Sequence, residues 1–166
     1  MPTSSQKDRE PERAADYVDT TVRVRYAETD QMGVAYYGSH FVWFELGRTE
    51  FIRQRGYPYR QLEEQEGLYL IVAEASCRYH APARYDDVLT IRTWVKQARS
   101  RVVVFSYEIL AEDGTKVATG ETLHVTTDRE GKPRTLPERY RQALLNEPQS
   151  HPSAALRASR VTETKR

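Results

Sequence analysis

Hydrophobic and polar residues alternate in five stretches of the chain, as they do in β-strands that bury one face. The first stretch covers residues 20–26. Four more follow one another closely, at residues 68–79, 88–96, 102–111 and 116–127. Asp113-Gly114, between the last two, is typical of a hairpin turn. The pattern predicts one early strand and then four strands in a meander-like succession.

A long helix is predicted between the first strand and the other four, over residues 39–55. Ser39 is a candidate N-cap, and Gly56 with the following Tyr57-Pro58 is a stop signal. Apolar side chains on this helix cover more than one narrow stripe; they are Phe41, Trp43, Phe44, Leu46, Phe51 and Ile52. This breadth predicts a helix wrapped by other structure. The expected fold class is therefore α+β, with an antiparallel sheet curled around one helix.

The strand at residues 68–79 follows the helix and has no strand next to it in sequence, so we expect it at a sheet edge. Its alternation places one set of residues on one face: Tyr69, Ile71, Ala73, Ala75 and Cys77. A long exposed edge of this kind favours pairing with another chain. The expected assembly is a homodimer, or a dimer of such dimers.

Length and composition indicate one domain with tails. The chain has 166 residues, and residues 1–16 and 146–166 are rich in Ser, Pro and charge. We expect a disordered N-terminal tail, a domain over residues 17–145, and a flexible C-terminal tail.

Charge and hydropathy narrow the expected partners and location. With a formal net charge of +1, no broad field is available to recruit nucleic acid or a membrane surface, so neither is an expected partner. The polar N-terminus lacks the apolar region of a secretory signal, and no apolar run is long enough to span a bilayer. The single cysteine, Cys77, favours a reducing compartment. A cytoplasmic protein is predicted.

No pattern of metal ligands or of a serine nucleophile is present. The four histidines lack metal-ligand spacing, so we expect no metal site; they are His40, His80, His124 and His151. No Gly-x-Ser-x-Gly and no phosphate-binding glycine loop occur.

The polar turn after the first strand carries the most informative residues. Its sequence YAETDQMGVAYY, at residues 26–37, resembles the opening signature of 4-hydroxybenzoyl-CoA thioesterases and related hotdog acyl-CoA thioesterases. Three later segments fit the same family in order: WFELGRTE at 43–50, YHAPARYDD at 79–87 and KPRTLP at 132–137. The resemblance implies a hotdog fold, a five-stranded antiparallel sheet wrapped around one long central helix. It also implies an enzyme that hydrolyses acyl-CoA thioesters, with coenzyme A as part of the substrate and no separate cofactor.

The resemblance implies that Asp30 is the catalytic carboxylate, as a nucleophile or as a general base on water. It also implies that the backbone N–H of Tyr37, at the start of the helix, polarises the thioester carbonyl. Both roles fit the chemistry, because a thioester is already activated and a helix N-terminus offers unpaired N–H groups. An Asp before a Gly is otherwise ordinary turn chemistry.

Other substrate contacts are implied at Gly33, Gly38 and His40. Many members of the family carry His at the position of Tyr37. This chain has Tyr there, as members of the 4-hydroxybenzoyl-CoA type do. The usual Asn-Tyr pair that follows reads Ser39-His40 here, and His40 can change the pocket.

Two charged pairs have competing interpretations. Arg99 and Arg101 form either a solvated basic turn or, as the resemblance implies, a site for the phosphates of CoA. Glu45 and Arg48 are three residues apart, as in an intrahelical ion pair, although Glu45 could also be a second active-site carboxylate.

Three functions remain open. The first is hydrolysis of a small aromatic or a short-to-medium acyl-CoA. The second is a hotdog hydratase or dehydratase on acyl thioesters, which would use a histidine such as His40. The third is a non-catalytic acyl-binding protein with the same fold.

Overall fold

The computed structural model describes residues 16–146, and the fold class and architecture are as predicted. Its elements, in chain order, are β1 Val18–Arg23, a 3-10 turn Tyr26–Glu28, α1 Ser39–Gln54, α2 Tyr59–Glu66, β2 Tyr69–Tyr79, β3 Val88–Ala98, β4 Val102–Ala111, β5 Lys116–Thr127 and α3 Glu138–Leu145. The tails were predicted at residues 1–16 and 146–166, and all of them except Asp16 and Asn146 lie outside the described residues. Asp16, assigned to a tail, instead accepts a hydrogen bond from Arg55 Nη2 at 2.6 Å.

One antiparallel sheet contains all five strands, in the order β1-β3-β4-β5-β2. The β4–β5 connection is the predicted turn: Gly114 has φ +83°, and Asp113 Oδ1 accepts the Thr115 N–H at 2.9 Å. Among the strands that the structure describes, β2 pairs only with β5, so the prediction of an edge strand is confirmed.

α1 crosses the sheet at close range. A Cβ added at Gly47 would lie 2.4 Å from Thr93 Oγ1 and 2.9 Å from Ile91 Cγ2, so only glycine lets the helix approach β3 this closely. Phe44 stacks on Tyr107 with ring centroids 4.3 Å apart. The sheet covers one side of the helix, and the buried residues of that side include Trp43, Phe44, Phe51 and Ile52.

The opposite side of α1 is open within one chain. Val42 and Leu46 are 46% and 45% exposed, and Glu45 is also exposed. Within one chain the sheet therefore wraps α1 on one side and leaves Val42, Glu45 and Leu46 exposed on the other.

A β-bulge in β2 changes which residues face the helix. Val72 pairs with His124 and Glu74 with Leu123, so Ala73 is the extra residue. Before the bulge, Leu70 and Val72 pair with the buried residues Thr126 and His124 and lie on the same face of the sheet as those residues. After the bulge, the residues of β2 on that face are Ala75, Cys77 and Tyr79. The prediction that Tyr69 and Ile71 share a face with Cys77 is therefore wrong.

Candidate active site

The loop between β1 and α1 folds back on itself like a small hairpin. Thr29 and Ala35 form an antiparallel bridge. Inside it the Asp30 N–H donates to Val34 O at 2.9 Å, and the Gly33 N–H donates to Asp30 O at 3.0 Å. Gly33 has φ +75°, a conformation that favours glycine. The predicted polar turn is thus a closed structure that returns the chain to the helix.

Glu28 fastens this loop to its surroundings, a role that the sequence analysis missed. Its carboxylate accepts hydrogen bonds from Arg25 N (2.8 Å), Arg25 Nη2 (3.0 Å) and Trp43 Nε1 (3.1 Å). Its carbonyl oxygen accepts from Tyr36 N (2.8 Å) and Ser39 Oγ (3.0 Å). Burial alone would raise the pKa of Glu28, but the hydrogen bonds from Arg25 and Trp43 lower it below its usual value. Glu28 is therefore an ionised anchor.

Asp30 is half-buried at the start of the turn. Its Oδ1 accepts the Met32 N–H at 2.9 Å, the turn interaction that an Asp makes ordinarily. Within residues 16–146, no hydrogen bond or ion pair of Oδ2 is found. The turn therefore fixes one carboxylate oxygen and leaves the other available to water or substrate.

Tyr37 and Gly38 immediately precede α1. Within the described part of the chain, their backbone N–H groups donate to no acceptor. Gly38, rather than Ser39, is the N-cap of α1; Ser39 is the first helical residue, and its hydroxyl bonds to the loop instead of capping the helix. The two N–H groups lie at the positive end of the helix dipole, where developing negative charge is stabilised.

The carbonyl oxygen of Tyr37 is held by two donors. Tyr79 Oη donates to it at 2.9 Å, and His40 Nδ1 lies 3.1 Å away. His40 is only 3% exposed, and its ring lies 4.8 Å from the rings of both Trp43 and Tyr79. Burial lowers the pKa of His40 against the opposing effect of its backbone hydrogen bonds, so a neutral ring donates through Nδ1. Burial and the neighbouring Cys77 raise the pKa of Tyr79 to about 12.

The two predicted glycines differ in environment. Gly33 is exposed, and its carbonyl accepts from Arg84 Nη1 at 3.2 Å. A Cβ at Gly38 would lie 2.6 Å from Tyr36 Cε1. Gly38 therefore lets the Tyr36 ring lie against the start of the helix.

Arg99 and Arg101 are exposed in the β3–β4 turn, at the far end of the sheet from Asp30. The loop lies at the Val88 end of β3, because Val24 N–H donates to Asp87 O at 2.9 Å. β3 has 11 residues, which corresponds to a length of about 30 Å. One chain thus does not bring these arginines to Asp30.

The predicted ion pair between Glu45 and Arg48 is wrong. No contact within 4.0 Å joins their charged groups, although other pairs on the helix, such as Arg53 and Glu50, do form. Both side chains instead line a cavity at the C-terminal half of α1.

Among residues 16–146, no group of three or more His, Cys, Asp or Glu could hold a metal ion. His151 lies outside that range. The same residues contain no helix with the length and hydropathy of a membrane span.

Known structures define the class to which this arrangement belongs. A protein from Thermus thermophilus, TT1821, superimposes with a TM-score of 0.72 at 34% identity, covering 78% of this chain and 95% of that one. A DHNA-CoA thioesterase from Staphylococcus aureus does so with a TM-score of 0.71 at 29% identity, covering 87% and 90%. The fold is that of the hotdog thioesterases.

The sequence relationship is equally specific. The profile of the thioesterase-like superfamily matches residues 24–144. The acyl-CoA thioester hydrolase YbgC of Escherichia coli O157:H7 is 36% identical over 118 residues, 70% of this chain and 87% of that protein. The chain belongs to the thioesterase-like superfamily, and the prediction that it is a thioester hydrolase is confirmed.

Proposed function

We propose that this protein hydrolyses an acyl-CoA to the free acid and coenzyme A, with Asp30 and the Tyr37 N–H as its catalytic groups. One observation carries the assignment: a single hydrogen-bonded loop holds a carboxylate with one oxygen that has no partner among residues 16–146, and it ends in backbone N–H groups that have no acceptor among the same residues. The names of YbgC and of the S. aureus enzyme support a CoA thioester as substrate.

The chemistry needs only these two groups. As a general base, Asp30 takes a proton from the water whose oxygen attacks the thioester carbon. As a nucleophile, its own oxygen attacks, and water then cleaves the resulting acyl anhydride. In either case the Tyr37 N–H donates to the developing oxyanion, the C–S bond breaks, and the CoA thiolate takes up a proton.

The proposed working unit is a homodimer, paired edge to edge through β2 about a two-fold axis, with pairing of two dimers as a further level. Residues 71–76 of this strand are all exposed, and the strand has a free edge of 11 residues. Tyr79, at one end of β2, bonds to Tyr37. At the other end Tyr69 pairs with Thr127, next to the turn that holds Arg101.

Antiparallel pairing would bring the arginine end of one copy toward the Tyr37 end of the other. Arg99 and Arg101 would then serve the second copy's site, where cations can bind CoA phosphates. This accounts for their distance from Asp30 within one chain. Gly33 and Gly38 would border the substrate. His40 would position the Tyr37 backbone through its hydrogen bond to the Tyr37 carbonyl oxygen.

The proposed acyl group is small and aromatic, or short to medium in length. The DHNA-CoA thioesterase among the similar structures favours the aromatic alternative. A hydratase would need a histidine facing the substrate, whereas His40 is buried and bonded to Tyr37 O, so no observation favours that reaction. The free Cys77 fits the reducing environment of the cytoplasm, the proposed location.

Asp30→Asn tests the assignment with a free-thiol assay over a panel of acyl-CoAs. We expect kcat to fall on the order of a thousandfold or more, because the nucleophile or base is lost while the Oδ1 acceptor of the turn is retained. Asp86→Asn, in an exposed loop ion pair with Arg23, is the matched control. Near-normal hydrolysis by folded Asp30→Asn would disprove the proposal.

A further inference from the structure

A polar cavity of about 90 Å³ lies between the C-terminal half of α1, α2 and the start of β2. Seven side chains line it: Glu45, Arg48, Thr49, Ile52, Tyr59, Leu70 and His124. Its aliphatic walls are Ile52 and Leu70, and its other lining groups can form hydrogen bonds. The catalytic residues assigned above do not include any of these side chains.

The base of the cavity is a fixed hydrogen-bond network. Tyr107 Oη and Thr122 Oγ1 are 2.7 Å apart, and Thr122 Oγ1 lies 2.8 Å from His124 Nε2. Tyr59 Oη accepts the Leu70 N–H at 3.0 Å. Burial, and then the nearby Arg48, lower the pKa of His124 to about 4. His124 is therefore neutral at physiological pH.

Arg48 is consequently the one cation among the lining residues at neutral pH. No carboxylate of residues 16–146 lies within 4.0 Å of it, in contrast to Arg53, Arg55 and Arg60. A guanidinium presents five N–H donors in a planar fork and has no acceptor. The Arg48 side chain also hydrogen-bonds to Tyr107, which can engage only part of this fork. A ligand that offers oxygen acceptors could bind the remaining donors.

In the proposed dimer, in which two copies pair through β2, this cavity would face the Tyr37 site of the second copy. Leu70, which lines it, and Tyr79, which holds Tyr37, lie at opposite ends of β2 and on the same face. Antiparallel pairing places each end of β2 beside the other end of the second copy, about 4.8 Å away. Within one chain, by contrast, Arg48 lies nine residues beyond Ser39, about 13 Å along the helix.

We propose that this cavity receives the distal end of the acyl group whose thioester is held at the second copy's Tyr37, and that it selects acyl groups with an oxygen at that end. The inference rests on the proposed thioesterase function. The oxygen is a hydroxyl or a carboxylate, both of which accept hydrogen bonds from Arg48. At about 90 Å³ the cavity is smaller than the roughly 150 Å³ that encloses benzene, so it takes the end of an acyl group rather than a whole ring.

The test compares matched substrates in the wild-type dimer and in Arg48→Met, which keeps much of the aliphatic stem and removes the donors. The pairs are 4-hydroxybenzoyl-CoA with benzoyl-CoA, and glutaryl-CoA with valeryl-CoA. We expect the wild type to prefer the oxygenated member of at least one pair. In Arg48→Met that preference should fall about tenfold or more, because a charge-assisted hydrogen bond is lost.

Two further variants keep the result interpretable. Arg48→Lys retains the charge without the fork and should lose part of the preference, and it replaces Arg48→Met if the latter does not fold. Glu45→Gln removes the carboxylate at the rim, so it should raise kcat/KM for glutaryl-CoA relative to 4-hydroxybenzoyl-CoA if the bound oxygen belongs to an anion. An unchanged ratio would assign the oxygen to a hydroxyl.

A wild type indifferent to the distal oxygen would overturn the inference, as would equal losses for both members of each pair in Arg48→Met. Failure of the proposed function looks different: no acyl-CoA in the panel would release thiol, or Asp30→Asn would remain active.

Discussion

The loop before α1 and the β3–β4 turn are both predicted to contact the substrate, yet they are built in opposite ways. The loop is cross-linked by backbone bonds and anchored by Glu28, whose side chain is 9% exposed. The turn presents Arg99 and Arg101 on the exposed surface. Bond-making chemistry needs a carboxylate and an N–H at fixed positions, whereas attraction of phosphates needs only nearby cations. The contrast is consistent with the proposed division between catalysis by the loop and substrate binding by the turn.

After the loss of Asp30 itself, the largest effect should come from separating the two regions, because one chain holds them at opposite ends of β3. Ala73→Glu places a new charge at the bulge of β2, beside Glu74 and near the proposed two-fold axis. We expect monomers and a loss of activity of at least about a hundredfold. Sedimentation and the thiol-release assay, with Ala73→Ser as the uncharged control, measure both. A fully active monomer at the assay concentration would refute the shared site.

Glu28→Gln should destabilise the loop before α1 that Glu28 anchors. Loss of the charge weakens the bonds from Arg25 and Trp43, and we expect unfolding free energy to fall by about 1–3 kcal/mol at pH 7 and kcat to fall about tenfold. Glu50→Gln, which changes a partly exposed ion pair with Arg53 on α1, should cost less than about 1 kcal/mol. Urea unfolding and steady-state kinetics provide the comparison.

The contribution of Glu28 to the free energy of unfolding should depend on pH in a definite direction. The pKa of Glu28 is lowered in the folded protein, so its stabilisation is complete above the ordinary value of 4.5 and is lost as pH falls through the folded value. The stability difference between wild type and Glu28→Gln should therefore shrink on acidification below pH 4.5. A difference that grows there would show that the Glu28 carboxylate is not stabilised as an anion.

The sequence predicted the framework of this contrast better than its details. Alternation located the five strands, and the order of elements placed β2 at an edge, because both follow from local periodicity. The bulge at Ala73 has no such signal: one extra residue moves Ala75 and Cys77 to the helix face. The helix α3 was likewise not predicted from the sequence.

The roles of Glu28 and Arg48 were missed for a different reason. Glu28 becomes buried only when the loop folds onto α1, where Trp43, 15 residues later, donates to its carboxylate. The spacing of Glu45 and Arg48 predicted a local pair. Arg48 instead lies close enough to Tyr107 and His124 to affect the pKa of both, a tertiary arrangement that helical spacing cannot indicate.

Substitutions in the β3–β4 turn should change the binding of the substrate rather than its turnover. Arg99→Ala with Arg101→Ala should raise KM for acyl-CoA by about tenfold and leave kcat nearly constant, because the role proposed for these cations is contact with the nucleotide end of the substrate. KM for the corresponding acyl-pantetheine, which lacks that end, should change little. Arg60→Ala, an exposed arginine of α2, is the control. Equal increases for both substrates would identify the turn as ordinary solvated surface.

The smallest effect should follow from removing one of the two donors to Tyr37 O. Tyr79→Phe deletes the bond of 2.9 Å but leaves His40 Nδ1 at 3.1 Å, so the peptide after Tyr37 keeps one fixed point. We expect kcat to fall about three- to tenfold with little change in KM, since the hydroxyl hydrogen-bonds to the Tyr37 carbonyl and so fixes the position of the backbone. Tyr85→Phe, which is exposed and contacts Tyr26 edge to face, is the matched control.

With a pKa of about 12, the Tyr79 hydroxyl keeps its proton through the neutral range, so the variant and the wild type should share one pH profile there. A loss as large as that of Asp30→Asn, or an altered profile, would instead make Tyr79 a proton donor in the reaction.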